Sequence, residues 1–233
     1  MKGFDLLAIL LNPEFGGMLV HGVVLTLVIA VGSWLLAMTL ALLLLTLRLT
    51  PSKLLQRAVA AYVSYHRNVP TLVQLMLWYF GISSLFPDSV QGWLSEHGGE
   101  ALFSILALGL CQAAYFSEDL RSGLRSIPDG QTEAARALGH SYLSAMRYVI
   151  LPQAVRNAVP ALVNHSVSLF KNSSLAMAIG VAELTHAVKE IESQSFRSFE
   201  AYLVATLVYL GFSLLIMSAG AWLSKRYSIA GAR

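Results

Sequence analysis

The sequence predicts an all-α integral membrane protein with five transmembrane helices, and three observations support this fold class. Of the 233 residues, 56% are hydrophobic and only 12% are charged, about half of the ~25% that a soluble domain carries. Several stretches lack Asp, Glu, Lys and Arg over roughly the 20 residues that a helix needs to cross a bilayer. Basic residues are concentrated in alternate connections between these stretches. A soluble chain of this length could not cover its surface with so few charges.

The charge-free stretches indicate where the spans lie. At ~1.5 Å per residue, residues 17–47 are longer than a hydrocarbon core of ~30 Å, so the first helix must tilt or extend into the headgroups. The fourth span is expected to be irregular, because Lys171 lies in its middle. The predicted spans are 17–47, 68–87, 101–122, 157–182 and 201–224, within one domain of residues 17–225.

The distribution of basic residues predicts the direction of the spans. Twelve Lys and Arg lie in the first and third connections and at the C-terminus, whereas the N-terminus and the second and fourth connections together hold three. Connections rich in Lys and Arg stay in the cytoplasm. We therefore expect residues 1–16 to form a short outer segment and residues 226–233 to form a cytoplasmic tail. The apolar run 6–11 is too short for a cleavable signal.

The residue types argue against a cofactor or metal held by this chain. The single cysteine, Cys111, excludes an internal disulfide and a cysteine-built metal site. The six histidines do not cluster. The sequence has no G-x-x-x-x-G-K-[ST] motif with which to hold ATP phosphates. The net charge of +3 is small, and we expect no nucleic-acid partner.

The third connection, residues 128–152, is predicted to be a charged helix–glycine–helix segment. Asp129 is placed to cap a first helix over 132–138, and Gly139 suits the left-handed residue that closes it. Ser141 can cap a second helix, which Pro152 is expected to end. Such a segment could lie on the cytoplasmic membrane surface as an amphipathic hairpin, or it could fit into a cleft of a partner protein.

The spacing within this connection resembles a known motif. Glu133-Ala134-Ala135 is followed by Gly139 and, after nine residues, by Val149 and Leu151-Pro152. This pattern resembles the EAA loop of binding-protein-dependent ABC importers, in which Ile usually stands at the position of Val149. Four other stretches resemble permeases for polar amino acids: "HGVVLTL", "HRNVPTLVQLMLWYFG", "AYFSEDLRSGLRSIPDGQ" and "FKNSSLAMAIG".

The resemblance implies a fold, a place and a set of partners. The fold would be a type I ABC importer transmembrane domain in the bacterial inner membrane, with a cytoplasmic coupling helix. The partners would be a dimer of ATPase subunits that use ATP and Mg, a second permease subunit (this chain or a similar one) and a periplasmic amino-acid-binding protein. The implied ATPase-coupling residues are Glu133, Ala134, Ala135, Gly139, Leu151 and Pro152.

Polar residues at helical spacing suggest a substrate path through the spans. Ser and Thr in membrane helices commonly hold helices together, so packing is the competing interpretation. Lys171 is different, because a lysine at a helix centre costs ~2.5–3.5 kcal/mol on insertion scales. Its run "KNSS" marks either a structural break or a substrate gate, and Glu118 is a candidate ion-pair partner. The candidate path or gate residues are Gln74, Glu118, Asn164, Ser168, Lys171 and Asn172.

The leading interpretation is therefore a permease subunit that takes up a polar amino acid, with no enzymatic activity of its own. Lys171 weakly favours a substrate with an extra carboxylate, such as glutamate or aspartate. Two other classes are considered. One is an intramembrane hydrolase built on Ser166 beside His165, although the chain lacks a G-x-S-x-G motif. The other is a carrier or channel that works without ATP.

Overall fold

The computed structural model describes residues 4–226. Lys2 and residues 227–233, which include most of the predicted C-terminal tail, lie outside the described residues. Throughout the described part the chain is helical, without a β-strand, which confirms the predicted all-α class. The α-helices are α1 (Leu7–Leu10), α2 (Pro13–Leu49), α3 (Lys53–Asn68), α4 (Thr71–Met76), α5 (Asp88–Glu96), α6 (Gly99–Arg125), α7 (Asp129–Ala137), α8 (Tyr142–Ala145), α9 (Leu151–Asn172), α10 (Leu184–Ser195) and α11 (Ser198–Arg226).

Three of these helices are long and apolar enough to cross a membrane, among residues 4–226: α2, α6 and α11. They contain the first, third and fifth predicted spans. The second and fourth predicted spans are interrupted helices, described next. The number of five spans stays a prediction.

The second predicted span is a short helix that follows a break in the chain. After α3, Val69 and Pro70 adopt extended backbone, and α4 continues as a π-helical turn (Leu77–Ile82) and a 3-10 turn (Ser83–Leu85). Pro70 lacks a backbone N–H and disfavours helix at the residue before it, which accounts for the break. The apolar helix over Thr71–Leu85 is shorter than the prediction of 68–87.

The fourth predicted span begins earlier than expected. Pro152 does not end the second helix of the third connection, so that prediction is wrong. A π-helical turn over Met146–Ile150 joins α8 to α9, and Pro152 lies in the first turn of α9. A proline is tolerated there because its missing N–H is not needed in a first turn. The predicted irregularity at "KNSS" is confirmed, since α9 ends at Asn172 and a 3-10 helix follows over Ser173–Ile179.

The centre of the fold is the contact between α2 and α6, which run in the same direction. Small residues allow the two helices to approach closely: a Cβ added to Gly109 would lie 2.7 Å from Cδ2 of Leu36. Farther along, Ala37 and Ala41 pack with Ala113 in a buried cluster. Small residues at such contacts are typical of helices that associate in a membrane. We call the end of the bundle that carries Arg48, Arg121 and Arg125 the basic end.

At the opposite end, the side chain of Glu183 holds the start of α10 against α2 and α11. Its carboxylate is fully buried. It accepts hydrogen bonds from the backbone N–H of Thr185 (2.9 Å) and His186 (3.0 Å) and from the hydroxyls of Tyr209 (2.8 Å) and Thr26 (3.4 Å). Glu183 therefore caps α10 and ties it to both neighbouring helices.

Residues from Leu6 onwards take part in this packing. α2 begins at Pro13, inside the predicted outer segment 1–16, with Asn12 as its cap. Ile9 and Phe15 are buried together with Leu184 of α10.

Candidate functional site

The third connection forms a bent element at the basic end, which we call the elbow (residues 128–152). Gly139 has a φ of 90° and ends α7, so the predicted left-handed residue is confirmed. Ser141 caps α8 by accepting a hydrogen bond from the N–H of Ser144 (3.2 Å), also as predicted. The prediction for Asp129 is wrong. Pro128 takes the cap position in extended backbone, and Asp129 is the first residue of α7 without a capping bond.

The elbow exposes an unusual amount of apolar surface. The exposed fractions are 84% for Leu138, 78% for Leu143, 65% for Tyr148 and 64% for Tyr142. Leu143 therefore does not pack inside the chain, although its spacing places it on the apolar side of the second helix. Exposed apolar patches of this kind mark contact sites for another protein or for a membrane.

The six predicted coupling residues are divided between the surface of the elbow and its interior. Glu133, Ala134 and Gly139 are exposed, and a Cβ added to Gly139 would meet nothing within 4 Å. Glycine is required at that position by its backbone angle and not by a lack of space within this chain. Ala135 lies on the buried side of α7. Leu151 and Pro152 line a cavity instead.

That cavity has a volume of about 1120 Å³ and lies between α6, α9 and α11 at the basic end. It extends from the elbow, where Leu151 and Pro152 line it, to Asp119 on α6. Beside the cavity, α6 and α9 approach each other closely because Gly123 has no side chain. A Cβ at this position would collide with the carbonyl oxygen of Ala154.

A smaller polar cleft of about 230 Å³ lies deeper, between α4, α6 and α9. Two of the predicted path residues, Ser168 and Asn172, line it. Gln112 also lines it, and within the described chain its buried amide nitrogen Nε2 has no hydrogen-bond partner. Such an unsatisfied donor costs about 1–3 kcal/mol unless a ligand or water takes the bond. The cleft is lined by Thr71, Leu108, Cys111, Gln112, Tyr115, His165, Ser168, Leu169 and Asn172.

One hydrogen-bonded pair links the lining of the cleft to the lining of the larger cavity. Nδ1 of His165 lies 2.6 Å from Oδ2 of Asp119. His165 lines the cleft and Asp119 lines the cavity. The ring of Tyr115 packs against the imidazole with the ring centroids 5.0 Å apart. Tyr115 and His165 thus line the cleft, and Asp119 lines the larger cavity.

Lys171 and Asn164 lie on an exposed polar stripe of α9. Asn157, Asn164, Ser168 and Lys171 share one face of this helix, and only Ser168 is partly covered. Lys171 lies in the last turn of α9 and has no ion pair within residues 4–226. The expected pair with Glu118 is therefore wrong.

Glu118 and Gln74 have other roles. Glu118 bonds to Arg48 (2.5 Å) and to Nε of Arg121 (3.0 Å). Gln74 is buried, and its amide contacts Nδ1 of His66 (2.6 Å) and the carbonyl oxygen of Val69 (2.8 Å). Gln74 thus stabilises the break before α4, where its polar atoms are already bonded, and it does not line the cleft.

Sequence reasoning missed Gln112, Asp119 and His165. The signal for Asp119 was present, because an acidic residue inside a predicted span is costly and is usually functional. From the sequence, His165 is considered only as the neighbour of Ser166 in the hydrolase alternative, and nothing in the sequence pairs it with Asp119. Gln112 is one of several uncharged polar residues in the third span, so its unsatisfied amide becomes visible only in the fold.

The contacts of Ser166 do not support a hydrolase. Its hydroxyl donates to the carbonyl of Leu162 (2.7 Å) and accepts from the indole of Trp34 (3.0 Å). His165 points to Asp119. A nucleophile needs a hydrogen bond to its base, and no hydrogen bond joins Ser166 to His165 in the part of the chain that the structure describes. That part also contains no group of three or more His, Cys, Asp or Glu placed to hold a metal ion.

The chain is similar in sequence to permeases of amino-acid transporters. The chain is 35% identical over 199 residues to the probable amino-acid ABC transporter permease protein PatM of Vibrio harveyi, which covers 84% of this chain and 86% of that protein. It is 30% identical over 224 residues to the glutamate/aspartate import permease protein GltJ of Escherichia coli strain K12, which covers 94% and 91%. A crystal structure of an amino acid ABC transporter with histidines superposes with a TM-score of 0.83 at 28% identity and covers 97% of this chain and 100% of that one.

The fold is thus that of a type I ABC importer transmembrane domain, as the resemblance implied. Residues 33–229 match the family described as "Binding-protein-dependent transport system inner membrane component". The match covers the elbow, the cleft and most of the helices that build them. The chain belongs to this family of inner membrane components of binding-protein-dependent transport systems.

Proposed function

We propose that this protein is one permease subunit of an importer that is driven by ATP and that takes up a polar amino acid. ATP and Mg²⁺ are bound by a separate dimer of ATPase subunits. A periplasmic binding protein delivers the amino acid, and a second permease subunit, either this chain or a similar one, completes the pathway. The substrate class is supported by the relatives named above and by the polar cleft.

In this proposal the basic end faces the cytoplasm. The end of α2, the end of α6 and the elbow all carry Arg residues, and such connections remain on the cytoplasmic side. The N-terminus then lies in the periplasm and the C-terminus in the cytoplasm. Glu183 and α10 lie on the periplasmic side, where the binding protein docks.

The observation that carries the proposal is the exposed apolar surface of the elbow at the basic end. Leu138, Tyr142 and Leu143 project next to Gly139, which holds the tight turn between α7 and α8. On the water side of a membrane, side chains of this kind are stabilised by burial in a partner. Glu133 and Ala134 are exposed on the same element. The elbow is therefore the element that docks into the ATPase subunit.

The polar stripe of α9 supports the second permease. Exposed Asn157, Asn164 and Lys171 cannot face lipid without a large cost, so they face water or another protein subunit. A path between two permeases provides both. The substrate then passes between the stripes of the two subunits and into the large cavity at the basic end.

The polar cleft is the substrate site of this chain. Nε2 of Gln112 is a buried donor without a partner, and Asn172 and Ser168 provide further polar atoms. Lys171, one residue before Asn172, offers a positive charge to a carboxylate. This set suits a polar amino acid, and the lysine favours an acidic one. The pair of Asp119 and His165 closes the cleft towards the cytoplasmic cavity.

The test is uptake into proteoliposomes that contain the complete complex. The permease is co-expressed with its ATPase and binding protein and is supplied with ATP on the side of the elbow. We expect uptake of a labelled polar amino acid that depends on ATP and on the binding protein. Gln112→Ala should weaken uptake about tenfold or more, because it removes the donor of the cleft. Uptake without ATP would instead indicate a carrier.

A further inference from the structure

A cavity of about 360 Å³ at the basic end is not used by the proposed transport path. It lies between the end of α2, the start of α3 and the end of α6. Its polar lining consists of Arg48, Arg121, Arg125 and Gln56. Its volume falls in the range of ~300–1,000 Å³ that is typical of small-molecule sites. It is separate from the large cavity beside the elbow, which α9 and α11 help to line.

A second cavity, of about 420 Å³, shares Arg48 with the first. It is also lined by Arg67, Ser64, Asn68 and Glu118. The side chain of Arg48 therefore borders both cavities. We call Arg48, Arg67, Arg121 and Arg125 the arginine cluster.

The arginine cluster has more positive charge than the chain neutralises. Glu118 is the one carboxylate among the residues that line the two cavities, and it is shared between Arg48 and Arg121. Arg67 lies over the ring of Tyr115, 5.5 Å from its centroid. Arg125 has no ion pair with any residue from 4 to 226. Four guanidinium groups thus face one carboxylate, and the surplus attracts an anion.

The same cavity has apolar walls, part of which are exposed on the surface of the bundle. Leu45, Leu49 and Leu124 line it beside the arginines. Leu49 is 56% exposed, and Leu42, about two turns earlier on α2, is 50% exposed. α2 is one of the membrane-crossing helices, and Arg48 lies in its last turn, which places the arginines at the depth of lipid headgroups. An anion bound here would have an apolar surface beside it.

We propose that this cavity binds the phosphate of an anionic membrane phospholipid such as phosphatidylglycerol. Arg125 and the free donors of Arg48 and Arg121 hold the phosphate oxygens, and an acyl chain lies against Leu45 and Leu49. Basic pockets between membrane helices on the cytoplasmic side bind phospholipid headgroups in this manner. A free phosphate ion offers the same oxygens but leaves the leucines without a partner. The inference goes beyond the transport function and does not depend on which amino acid is carried.

The test measures lipid binding to the assembled complex after delipidation. Phosphatidylglycerol and phosphatidylcholine are each titrated in mixed micelles, and bound lipid is counted by native mass spectrometry. We expect phosphatidylglycerol to bind at least about fivefold more tightly. Arg125→Gln should weaken phosphatidylglycerol binding about fivefold, since one basic residue near an anionic headgroup contributes that much. This variant breaks no ion pair of the described chain and should therefore keep its thermal stability.

Arg57→Gln is the matched control. Arg57 is exposed on α3 and lines neither cavity. It contributes to the general attraction of the basic end for anionic lipid, and its loss should change binding less than twofold. The proposal is overturned if both variants bind equally well, or if phosphatidylcholine binds as tightly as phosphatidylglycerol. It is also overturned if millimolar inorganic phosphate displaces the lipid, because the site would then take a free anion.

Discussion

Replacing Glu183 by alanine should destabilise the protein, because this side chain both caps α10 and ties it to α2 and α11. The substitution removes the cap of α10, which typically costs about 1 kcal/mol. It also removes the acceptor for the buried hydroxyls of Tyr209 and Thr26. Both hydroxyls keep another partner, Thr185 and the carbonyl of Gly22 respectively. Their loss therefore adds only about 1–2 kcal/mol, for a total of about 2–3 kcal/mol.

The assay is thermal unfolding of the purified complex, followed by tryptophan fluorescence. For a chain of this size, about 2–3 kcal/mol corresponds to a fall in Tm of roughly 5–10 °C. Glu190→Ala is the control on the same helix, because Glu190 is exposed and contacts only Gln194 (2.9 Å) among the described residues. It should change stability by less than about 0.5 kcal/mol. Equal melting temperatures for the two variants would show that Glu183 does not anchor α10.

Four further outcomes are expected. Burial raises the pKa of Glu183 above its ordinary value of 4.5, although the hydrogen bonds to the carboxyl lower it in part. The carboxyl therefore stabilises the fold at low pH, and this contribution is lost as the pH rises from 4.5 through the raised pKa. The stability advantage of the wild type over Glu183→Gln should therefore shrink from acidic to neutral pH in thermal unfolding, and a constant difference would contradict the buried-carboxyl explanation. Gly139→Asp places a side chain at a φ of 90°, which costs about 1–2 kcal/mol, and it should abolish uptake and binding-protein-stimulated ATP hydrolysis while the domain remains inserted. The control Gly130→Asp adds the same charge on the exposed start of α7 and should retain activity. Normal uptake by Gly139→Asp would refute the docking role. Lys171→Met should leave stability unchanged and weaken the uptake of an acidic amino acid about tenfold or more, and unchanged uptake would show that Lys171 does not contact substrate. Single cysteines at Gln91 and His140 in a Cys111→Ser background should react with an impermeant reagent from the periplasmic and the cytoplasmic side respectively, and reversed labelling would overturn the proposed direction of the chain.

The class of the protein and the course of its helices could be predicted from sequence because these properties depend on composition and on local signals. Charge-free runs are visible without a fold, and the end of α7 at Gly139 requires only that glycine tolerates a positive φ. The break at "KNSS" follows from similarly local preferences. In each of these cases the deciding interaction lies within a few residues.

The partners of the charged residues could not be predicted in this way. Glu118 has three charged neighbours, Arg48, Arg67 and Arg121, on three helices, and Lys171 is on none of them. The choice among them depends on the direction and register of α2 against α6, which no local pattern specifies. The same is true of Asp119 and His165, which are 46 positions apart in the sequence. The error at Pro152 is of another kind, since a proline that ends most helices can equally begin one.

The π-helical turn over Met146–Ile150 joins the second half of the elbow and the fourth predicted span into one rod. From Tyr142 to Asn172 the chain is helical without a loop, over about 45 Å at 1.5 Å per residue. The exposed side chains of Tyr142, Leu143 and Tyr148 are at one end of this rod, and Ser168 and Asn172 of the cleft are at the other. A helix resists compression along its axis far better than a loop does. A displacement of the second half of the elbow by a few ångströms would therefore move the wall of the cleft by a similar distance, with the wider turn at Met146–Ile150 and the interior Pro160 of α9 as the places where the rod can bend.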